Sequence, residues 1–352
     1  MKSKTINKVI KKKINDWLSS INDDALISKL RRDIIVTGGC ITSMLLNEKV
    51  NDFDIYFRTK ETTKMVAEYY AKIFNNNNKD RNNKLGKPLH AWVLDGEDVE
   101  LWKQNKKNLN EFAFDYPDFK YANTEEWASS KVSGMIVNTT QDRIKLMINS
   151  DGVAEDSDSI ADDAEYDIPK YLSETNQLDI LEDIPATKME EGVDKYKPIF
   201  LSTNAITLSN KVQLVIRFYG DPSEIHKNYD FVHTTNYWTF YDGVVLNQRA
   251  LEAILNKELF YVGSKYPIAS LIRTRKFIRR GWHINAGQYV KMSFQISDLD
   301  LTDIYVLEDQ LVGVDSIYFL SFISSMREKM AKDKDFVMTR GYVTTVIDKI
   351  FG

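Results

Sequence analysis

The stretch from Ile34 to Phe57, IIVTGGCITSMLLNEKVNDFDIYF, constrains this 352-residue chain more than any other. It predicts a strand, a tight glycine turn, a short helix and a second strand. Gly38 and Gly39 allow the backbone to turn sharply and to approach a ligand closely, because neither residue carries a Cβ. The free N–H groups at the start of the helix, with the hydroxyls of Thr42 and Ser43, would form an anion site of the kind that holds phosphate.

Two acidic residues, Asp52 and Asp54, lie at the start of the second strand. Alternate residues of a strand share a face, so both carboxylates are expected to point one way and the intervening Phe53 into the core. Two neighbouring carboxylates repel each other, and a cation usually joins them. Oxygen ligands favour Mg²⁺ or Mn²⁺ over softer metals. The alternative for an isolated Asp-x-Asp pair is a solvated strand face.

Composition limits the classes of partner and chemistry. Lysine and arginine number 47 against 51 acidic residues, a net charge of −4, so any nucleic-acid contact must come from a local basic patch. The single cysteine, Cys40, excludes an internal disulfide, and it reads as a small buried residue in the turn rather than a nucleophile. No apolar run has membrane-spanning length, and a cytoplasmic location without membrane contact is expected.

The domain prediction is a split core with an insertion. Residues 1–78 and 198–245 form the core, and residues 246–352 form a helical C-terminal domain. Residues 79–197 form the insertion, in which the acidic stretch 151–167 reads as a linker. Within the insertion, strands are expected at 89–94, 99–102 and 144–148 and a helix at 125–137.

The core resumes with two strands joined by a turn, at 204–208 and 212–218, and a further strand is expected at 229–232. A helix is then predicted from Tyr266 to Arg280. It carries the densest basic patch of the chain, formed by Arg273, Arg275, Lys276, Arg279 and Arg280. This patch is either a solvated helix face or a surface for RNA or triphosphate, because the planar guanidinium donates two parallel hydrogen bonds to phosphate.

The order of these motifs resembles the polymerase-β-like nucleotidyltransferase superfamily, and most closely the tRNA CCA-adding enzymes and bacterial poly(A) polymerases. Their pattern is Gly-Gly-x-Val-Arg-Asp-x-Leu-Leu-Gly, a short gap and then Asp-x-Asp. The matching positions here are Gly38, Gly39, Ile41, Leu45, Leu46, Asp52 and Asp54, followed by Arg217, Asp230, Phe231, Pro267, Arg273, Phe277, Gly281 and Trp282. Thr42 and Ser43 replace the family's Arg-Asp, and Asn47 replaces its last glycine.

The resemblance implies an α/β (α+β) fold with a nucleotidyltransferase-like mixed sheet, an inserted subdomain and a C-terminal helical domain. It implies transfer of NMP from an NTP to a hydroxyl, with two Mg²⁺ or Mn²⁺ ions held by Asp52, Asp54 and a third acid. The position that resembles the third acid is Gln213, which carries no charge, and Asp230 is the next carboxylate along the chain. Asp230 is therefore the expected third ligand, with a contact to the nucleotide ribose as its alternative role.

The nucleotide site is expected to contain Gly38, Gly39, Thr42 and Ser43. The resemblance adds Arg217, and the basic helix adds Arg273 and Arg275. The acceptor that the resemblance implies is an RNA 3′ end like that of tRNA. A protein or small-molecule acceptor is the alternative, because one fold serves many functions. A module of a different class, which binds RNA or has a structural role without catalysis, is the remaining reading, and the neutral Gln213 motivates it.

Overall fold

The fold of the chain is taken from a computed structural model. It describes the following residues: 1–80, 90–95, 144–148, 196–201, 204–311, 322–323, 325–326, 329–330, 332–333 and 336–351. These residues divide into two compact units. The first unit contains 1–80, 90–95, 144–148, 196–201, 204–226 and 234–247, and the second contains 227–233 and the described residues from 248 onward. Strands and helices are both present, so the fold is mixed α/β.

The first unit is built on a mixed seven-stranded sheet in the order β5-β6-β7-β2-β1-β8-β9. Its strands are β1 (Ile34–Thr37), β2 (Phe53–Phe57), β5 (Pro198–Leu201), β6 (Ala205–Leu208), β7 (Val212–Tyr219), β8 (Tyr237–Thr239) and β9 (Gly243–Val245). The pair β2–β7 is parallel, and the other neighbouring strands pair antiparallel. The predicted strands at 34–36, 204–208 and 212–218 are confirmed.

Five helices lie in the described residues of the first unit, alongside this sheet. They are α1 (Ser3–Leu18), α2 (Asp24–Asp33), α3 (Gly39–Leu46), α4 (Lys60–Asn77) and α5 (Pro222–His226). The short helix α3 begins directly after the glycine turn, as the sequence predicts. It ends at Asn47, whose φ of +63° is the left-handed conformation that commonly terminates helices. Asn47 stands where the resembling family has glycine, and asparagine is the side chain that best tolerates this conformation after glycine.

The sheet's apolar side fixes the orientation of β2. Phe53, Ile55 and Phe57 are buried in the main core, together with Ile34 and Val36 of β1. The predicted alternation of β2 is therefore confirmed. Because these side chains occupy the core side, the side chain of Asp54, which lies between Phe53 and Ile55, is directed to the opposite face of the sheet.

A small second sheet forms part of the predicted insertion. Strands β3 (Ala91–Leu94) and β4 (Lys145–Ile148) pair antiparallel, which confirms strands near 89–94 and 144–148. Asn75 of α4 fixes β3 through two hydrogen bonds with Ala91, from its Nδ2 to the Ala91 carbonyl (3.0 Å) and from the Ala91 N–H to its Oδ1 (2.7 Å). The predicted strand at 99–102, helix at 125–137 and acidic linker at 151–167 lie outside the described residues.

The second unit is largely helical. In the described part of the chain its helices include α6 (Gln248–Asn256), α7 (Pro267–Arg279), α8 (Ala286–Ser297), α9 (Ile304–Leu311) and α10 (Arg340–Phe351). The helix predicted from Tyr266 to Arg280 is confirmed as α7. Among the described residues, no helix combines the length and the apolar character that crossing a membrane requires.

The predicted strand at 229–232 is wrong. Phe231 forms only an isolated antiparallel bridge with Tyr261, and Val232–Thr234 is a 3₁₀ turn. The physical reason is that this segment pairs with a loop of its own unit and not with the seven-stranded sheet. The Val232 N–H donates to the Phe260 carbonyl (3.1 Å), and the Val262 N–H donates to the Asp230 carbonyl (2.9 Å).

Asp33 at the end of α2 should make a measurable, pH-dependent contribution to stability. Its buried carboxylate accepts hydrogen bonds from Thr59 (2.9 Å), Thr62 (2.5 Å) and Arg32 (2.8 Å). Burial alone would raise the pKa of Asp33, but these hydrogen bonds outweigh it and hold the pKa below the ordinary value. We expect Asp33→Asn to lower the free energy of unfolding at pH 7 by about 2 kcal/mol in urea titrations.

The pH dependence gives the sign of this effect. A folded-state pKa below the unfolded value of about 3.9 gives stability that is present above that pH and lost as the pH falls through the folded pKa. The difference between wild type and Asp33→Asn should therefore shrink below about pH 4. The exposed Asp80→Asn is the control and should change stability little. An Asp33→Asn defect of equal size at pH 3 and pH 7 would contradict a charge-dependent role.

Candidate active site

The two acidic residues of β2 differ in exposure. Asp52 is exposed and directly precedes the strand, whereas Asp54 is half-buried within it. Asp54 pairs in register with Thr37 of β1 on one side and with Gln213 of β7 on the other, and Gln213 pairs with Thr207 of β6. Register partners share a face of a sheet, so these four side chains form a polar row across adjacent strands. The structure therefore brings Asp54 and Gln213 side by side.

The glycine turn lies directly against the Asp54 carboxylate. Gly38 has φ +94°, a conformation that side chains rarely adopt. A Cβ built on Gly38 would lie 2.6 Å from Asp54 Oδ2, a distance that real Cβ atoms essentially never show. Gly38 is therefore required both by its backbone conformation and by the space that the carboxylate occupies. The neighbouring Gly39 is exposed, and a Cβ there would meet nothing within 4 Å.

Helix α3 starts at this turn and directs its first N–H groups outward from its N-terminus. The N–H groups of the first turn have no acceptor within a helix, and they carry a partial positive charge. Of the two predicted hydroxyls, Thr42 is buried and Ser43 is half-buried. Ser43 is thus the more accessible hydroxyl on α3. The structure places the backbone of Gly38, the residue that precedes α3, against the Asp54 carboxylate.

Cys40 in the same turn is a core residue. Its side chain is buried, and burial raises the pKa of the thiol well above its usual range, with the negative charges of Asp54 and Asp52 raising it further. A thiol held in the neutral form is a poor nucleophile. The interpretation of Cys40 as a packing residue rather than a catalytic one agrees with this environment.

Sequence reasoning missed a hydrogen-bonded pair that supports the turn, Thr37 with His226. The Thr37 hydroxyl donates to the Asn236 carbonyl (2.9 Å) and lies 2.8 Å from His226 Nε2. Because that hydroxyl has one proton, we assign the second bond as donation from His226 Nε2–H to Thr37 Oγ1. Burial lowers the pKa of His226 to about 4, so the ring is neutral near pH 7. The adjacent Gly38 N–H donates to the Thr234 carbonyl (3.1 Å), which fixes the turn further.

The donor set near β2 suits a hard divalent cation. Asp52 and Asp54 provide carboxylate oxygens, and Gln213 provides an amide oxygen in register with Asp54. In the described part of the chain, no three His, Cys, Asp or Glu side chains are close enough to hold one metal ion. Mg²⁺ is commonly held by only one or two carboxylates with water and substrate phosphates as its other ligands, so two carboxylates are enough to bind one such ion.

Three of the predicted site residues belong to the second unit. Asp230 is buried there, and its carboxylate accepts a hydrogen bond and ion pair from the Arg273 guanidinium of α7. Arg275 is exposed on the same helix. The fourth residue, Arg217 of the first unit, is buried on β7 with its guanidinium 5.5 Å from the centre of the Phe218 ring. The structure thus pairs Asp230 with Arg273, two residues to which sequence reasoning gave separate roles.

Gly38 and Gly39 provide a matched test of this geometry. We expect Gly38→Ala to destabilise the protein by roughly 2 kcal/mol. The alanine would be held at a positive φ, which strains its backbone, and its Cβ would clash with Asp54. Gly39→Ala adds a methyl group in open space at the first residue of α3 and should be neutral within about 0.5 kcal/mol. Thermal and urea unfolding of the two variants measure the difference. Equal stabilities would show that the Asp54 carboxylate does not occupy the space beside Gly38.

The comparisons with known proteins identify a family. A family model described as "Gad2: Gabija anti-defense 2 family protein" matches residues 8–257. This range is about seven-tenths of the chain; it includes β1, α3, β2 and β7 and ends before α7. No curated protein and no solved structure matches the chain.

Proposed function

The chain belongs to the Gabija anti-defense 2 family, and we propose, from the geometry of its glycine turn and acidic strand, that it acts by nucleotidyl transfer. An acceptor hydroxyl attacks the α-phosphorus of an NTP. A new bond forms between the acceptor oxygen and phosphorus, the bond from phosphorus to the bridging oxygen breaks, and pyrophosphate leaves. The finer fold assignment, a polymerase-β-like nucleotidyltransferase core, is part of the same proposal.

One observation carries the proposal: the Asp54 carboxylate fills the space beside Gly38, at the N-terminus of α3. Nucleotidyl transfer needs a place for phosphate oxygens next to a place for cations. The glycine turn and the first N–H groups of α3 are suited to the phosphate, and the carboxylates of β2 are suited to the cations. A turn that served only to connect β1 with α3 would not need to exclude a Cβ in favour of a carboxylate.

Asp52 and Asp54 would hold the divalent cations, with Gln213 as a neutral oxygen ligand or hydrogen-bond partner. Such ions, when bound, neutralise negative charge on the attacking and leaving oxygens. The chain's own residues position the reactants. Gly38, Gly39 and Ser43 would hold the terminal phosphates of the NTP, with Thr42 supporting α3 from its buried position. Positioning and electrostatic stabilisation then account for the rate.

The acceptor is proposed from two sources. The resemblance to CCA-adding enzymes supports an RNA 3′ end. The family description names an action against Gabija, and from it we propose a component of that defense as the other acceptor. Both are hydroxyl acceptors and are compatible with the same site. A protein that counteracts Gabija by binding alone is the second candidate. Two observations favour it: the neutral Gln213 beside Asp54, and the neutralisation of Asp230 by Arg273.

Replacement of either acid of β2 should abolish transfer. Asp52→Asn and Asp54→Asn each remove a charged ligand, and we expect turnover to fall about a thousandfold, or roughly 4 kcal/mol of transition-state stabilisation. The assay is pyrophosphate release and transfer of label from each α-³²P-labelled NTP, with Mg²⁺ or Mn²⁺. Total RNA and Gabija proteins are supplied as separate acceptors. The label's destination identifies the acceptor class.

The exposed Asp80→Asn is the matched control and should keep full activity. Circular dichroism and thermal unfolding establish that the variants of β2 are folded. Activity within about twofold of wild type in Asp54→Asn would exclude a role for this site in catalysis. If neither acceptor is labelled by wild type and both acidic variants still counteract Gabija, the binding-only candidate is correct.

The role of Asp230 can be separated from its ion pair. Asp230→Asn and Arg273→Gln each break the pair, so a purely structural Asp230 predicts losses of stability and turnover that are similar in the two variants. The expected third-acid role predicts instead that Asp230→Asn loses turnover with every NTP, whereas Arg273→Gln, at comparable stability, keeps much of it. Turnover and unfolding temperatures of both variants are measured together. A ribose contact would appear as a relaxed preference for NTP over dNTP in Asp230→Asn.

A further inference from the structure

The turn between β6 and β7 contains a lysine, Lys211, with a positive φ. Ser209, Asn210 and Lys211 connect the paired residues Leu208 and Val212, and Asn210 and Lys211 have φ values of +63° and +60°. Asparagine tolerates this left-handed region, whereas lysine does so poorly and glycine would be favoured there. A conformation of this kind persists where surrounding contacts impose it, and it often marks a functional constraint.

Lys211 contacts both ends of the segment that carries Asp52. Its Nζ donates a hydrogen bond to the Val50 carbonyl (3.0 Å), and its own carbonyl accepts the Phe53 N–H (2.8 Å). Asp52 lies between these two contacts, outside the strand and exposed. Asp54 is held by the sheet on both sides, but Asp52 precedes the ladder, so its position depends on contacts of this kind.

We propose that Lys211 is the positioning residue for Asp52, holding the segment from Val50 to Phe53 so that the Asp52 carboxylate is ready to bind a divalent cation. This inference rests on the proposed function, in which Asp52 is a metal ligand. The side chain of Lys211 restrains one end of the segment and its carbonyl restrains the other. A glycine at this position would relieve the backbone strain and would lose the restraint at Val50.

A second lysine holds the turn itself. Lys13 of α1 donates from Nζ to the Asn210 carbonyl (2.7 Å), and its ammonium lies 5.4 Å from the centre of the Phe53 ring and 5.6 Å from that of Tyr196. These contacts connect the turn to the first residue of β2 and to α1. Lys13 therefore binds the turn to α1, and Lys211 binds the turn to the segment that contains Asp52.

Two glycine variants of the same turn make the test. Lys211→Gly removes the side-chain bond to Val50, and Asn210→Gly is the matched control, which places the same flexible residue at the adjacent positive-φ position. Hydrogen exchange of the amides of residues 50–53 is measured in the free protein by NMR or mass spectrometry. Mn²⁺ binding is measured by electron paramagnetic resonance without nucleotide.

We expect Lys211→Gly to speed exchange in this segment at least fivefold and to weaken Mn²⁺ binding about tenfold, the size typical of losing a group that orients a metal ligand. Its thermal stability should equal or exceed that of wild type, because glycine suits the backbone conformation. Asn210→Gly should leave exchange and Mn²⁺ binding near wild type. Lys211→Asn, which tolerates the conformation but is too short to reach Val50, should behave like Lys211→Gly. Lys211→Arg, which keeps a long cationic donor, should restore binding.

Unchanged exchange and Mn²⁺ affinity in Lys211→Gly would overturn the inference, and so would equal changes in Asn210→Gly. Failure of the proposed function gives a different result. Suppose that wild type binds no Mn²⁺ at Asp52 and Asp54, but that exchange still increases in Lys211→Gly alone. That result would contradict nucleotidyl transfer at this site and would still support the restraint of this segment by Lys211.

Discussion

The close approach of the Gly38 backbone to the Asp54 carboxylate is the constraint on which the candidate site depends. The carboxylate leaves no room for a Cβ at this position, so the close packing of the turn against the acidic strand requires glycine there. The position of Asp54 is fixed by β2, because Phe53, Ile55 and Phe57 of that strand are buried in the core. The position of Gly38 is fixed by the hydrogen bond from its N–H to the Thr234 carbonyl. Burial of the apolar face of β2 and the hydrogen bond of the Gly38 backbone therefore stabilise the fold and also position the Asp54 carboxylate beside the turn.

The part of the site that the sequence predicts is the part encoded by adjacent residues. Period-two alternation determines the faces of β2, and the glycine pair determines the turn and the start of α3. The contacts that support the site are between residues far apart in the chain, 189 positions for Thr37 with His226 and 161 for Lys211 with Val50. No local pattern signals such pairs. They follow from the strand order, which short-range periodicity does not determine.

The error at 229–232 has a related cause. Its alternation of apolar and polar residues, Tyr-Asp-Phe-Val, is compatible with a strand, but a strand also needs a partner with a continuous ladder. The structure provides only a bridge to Tyr261, and the buried Phe231 ring packs edge-on against Phe277 of α7 (5.6 Å between centroids). Burial of Phe231 in an aromatic cluster satisfies the same apolar residues that suggested a sheet. Asp230 is then held by the guanidinium of Arg273 rather than by a ladder.

The charge distribution limits how the proposed nucleotidyl transfer could select its acceptor. With a net charge of −4 the chain has no overall attraction for a polyanion, so long-range steering toward RNA is weak. One arginine of the basic helix, Arg273, already has a carboxylate partner. The exposed part of that helix combines Arg275 and Arg279 with the apolar side chains of Leu271 and Ile278. In the proposed nucleotidyl transfer, acceptor selection would therefore depend on short-range contacts, in which shape and apolar burial contribute alongside charge. This requirement suits recognition of a particular folded partner better than binding of any nucleic acid of sufficient length.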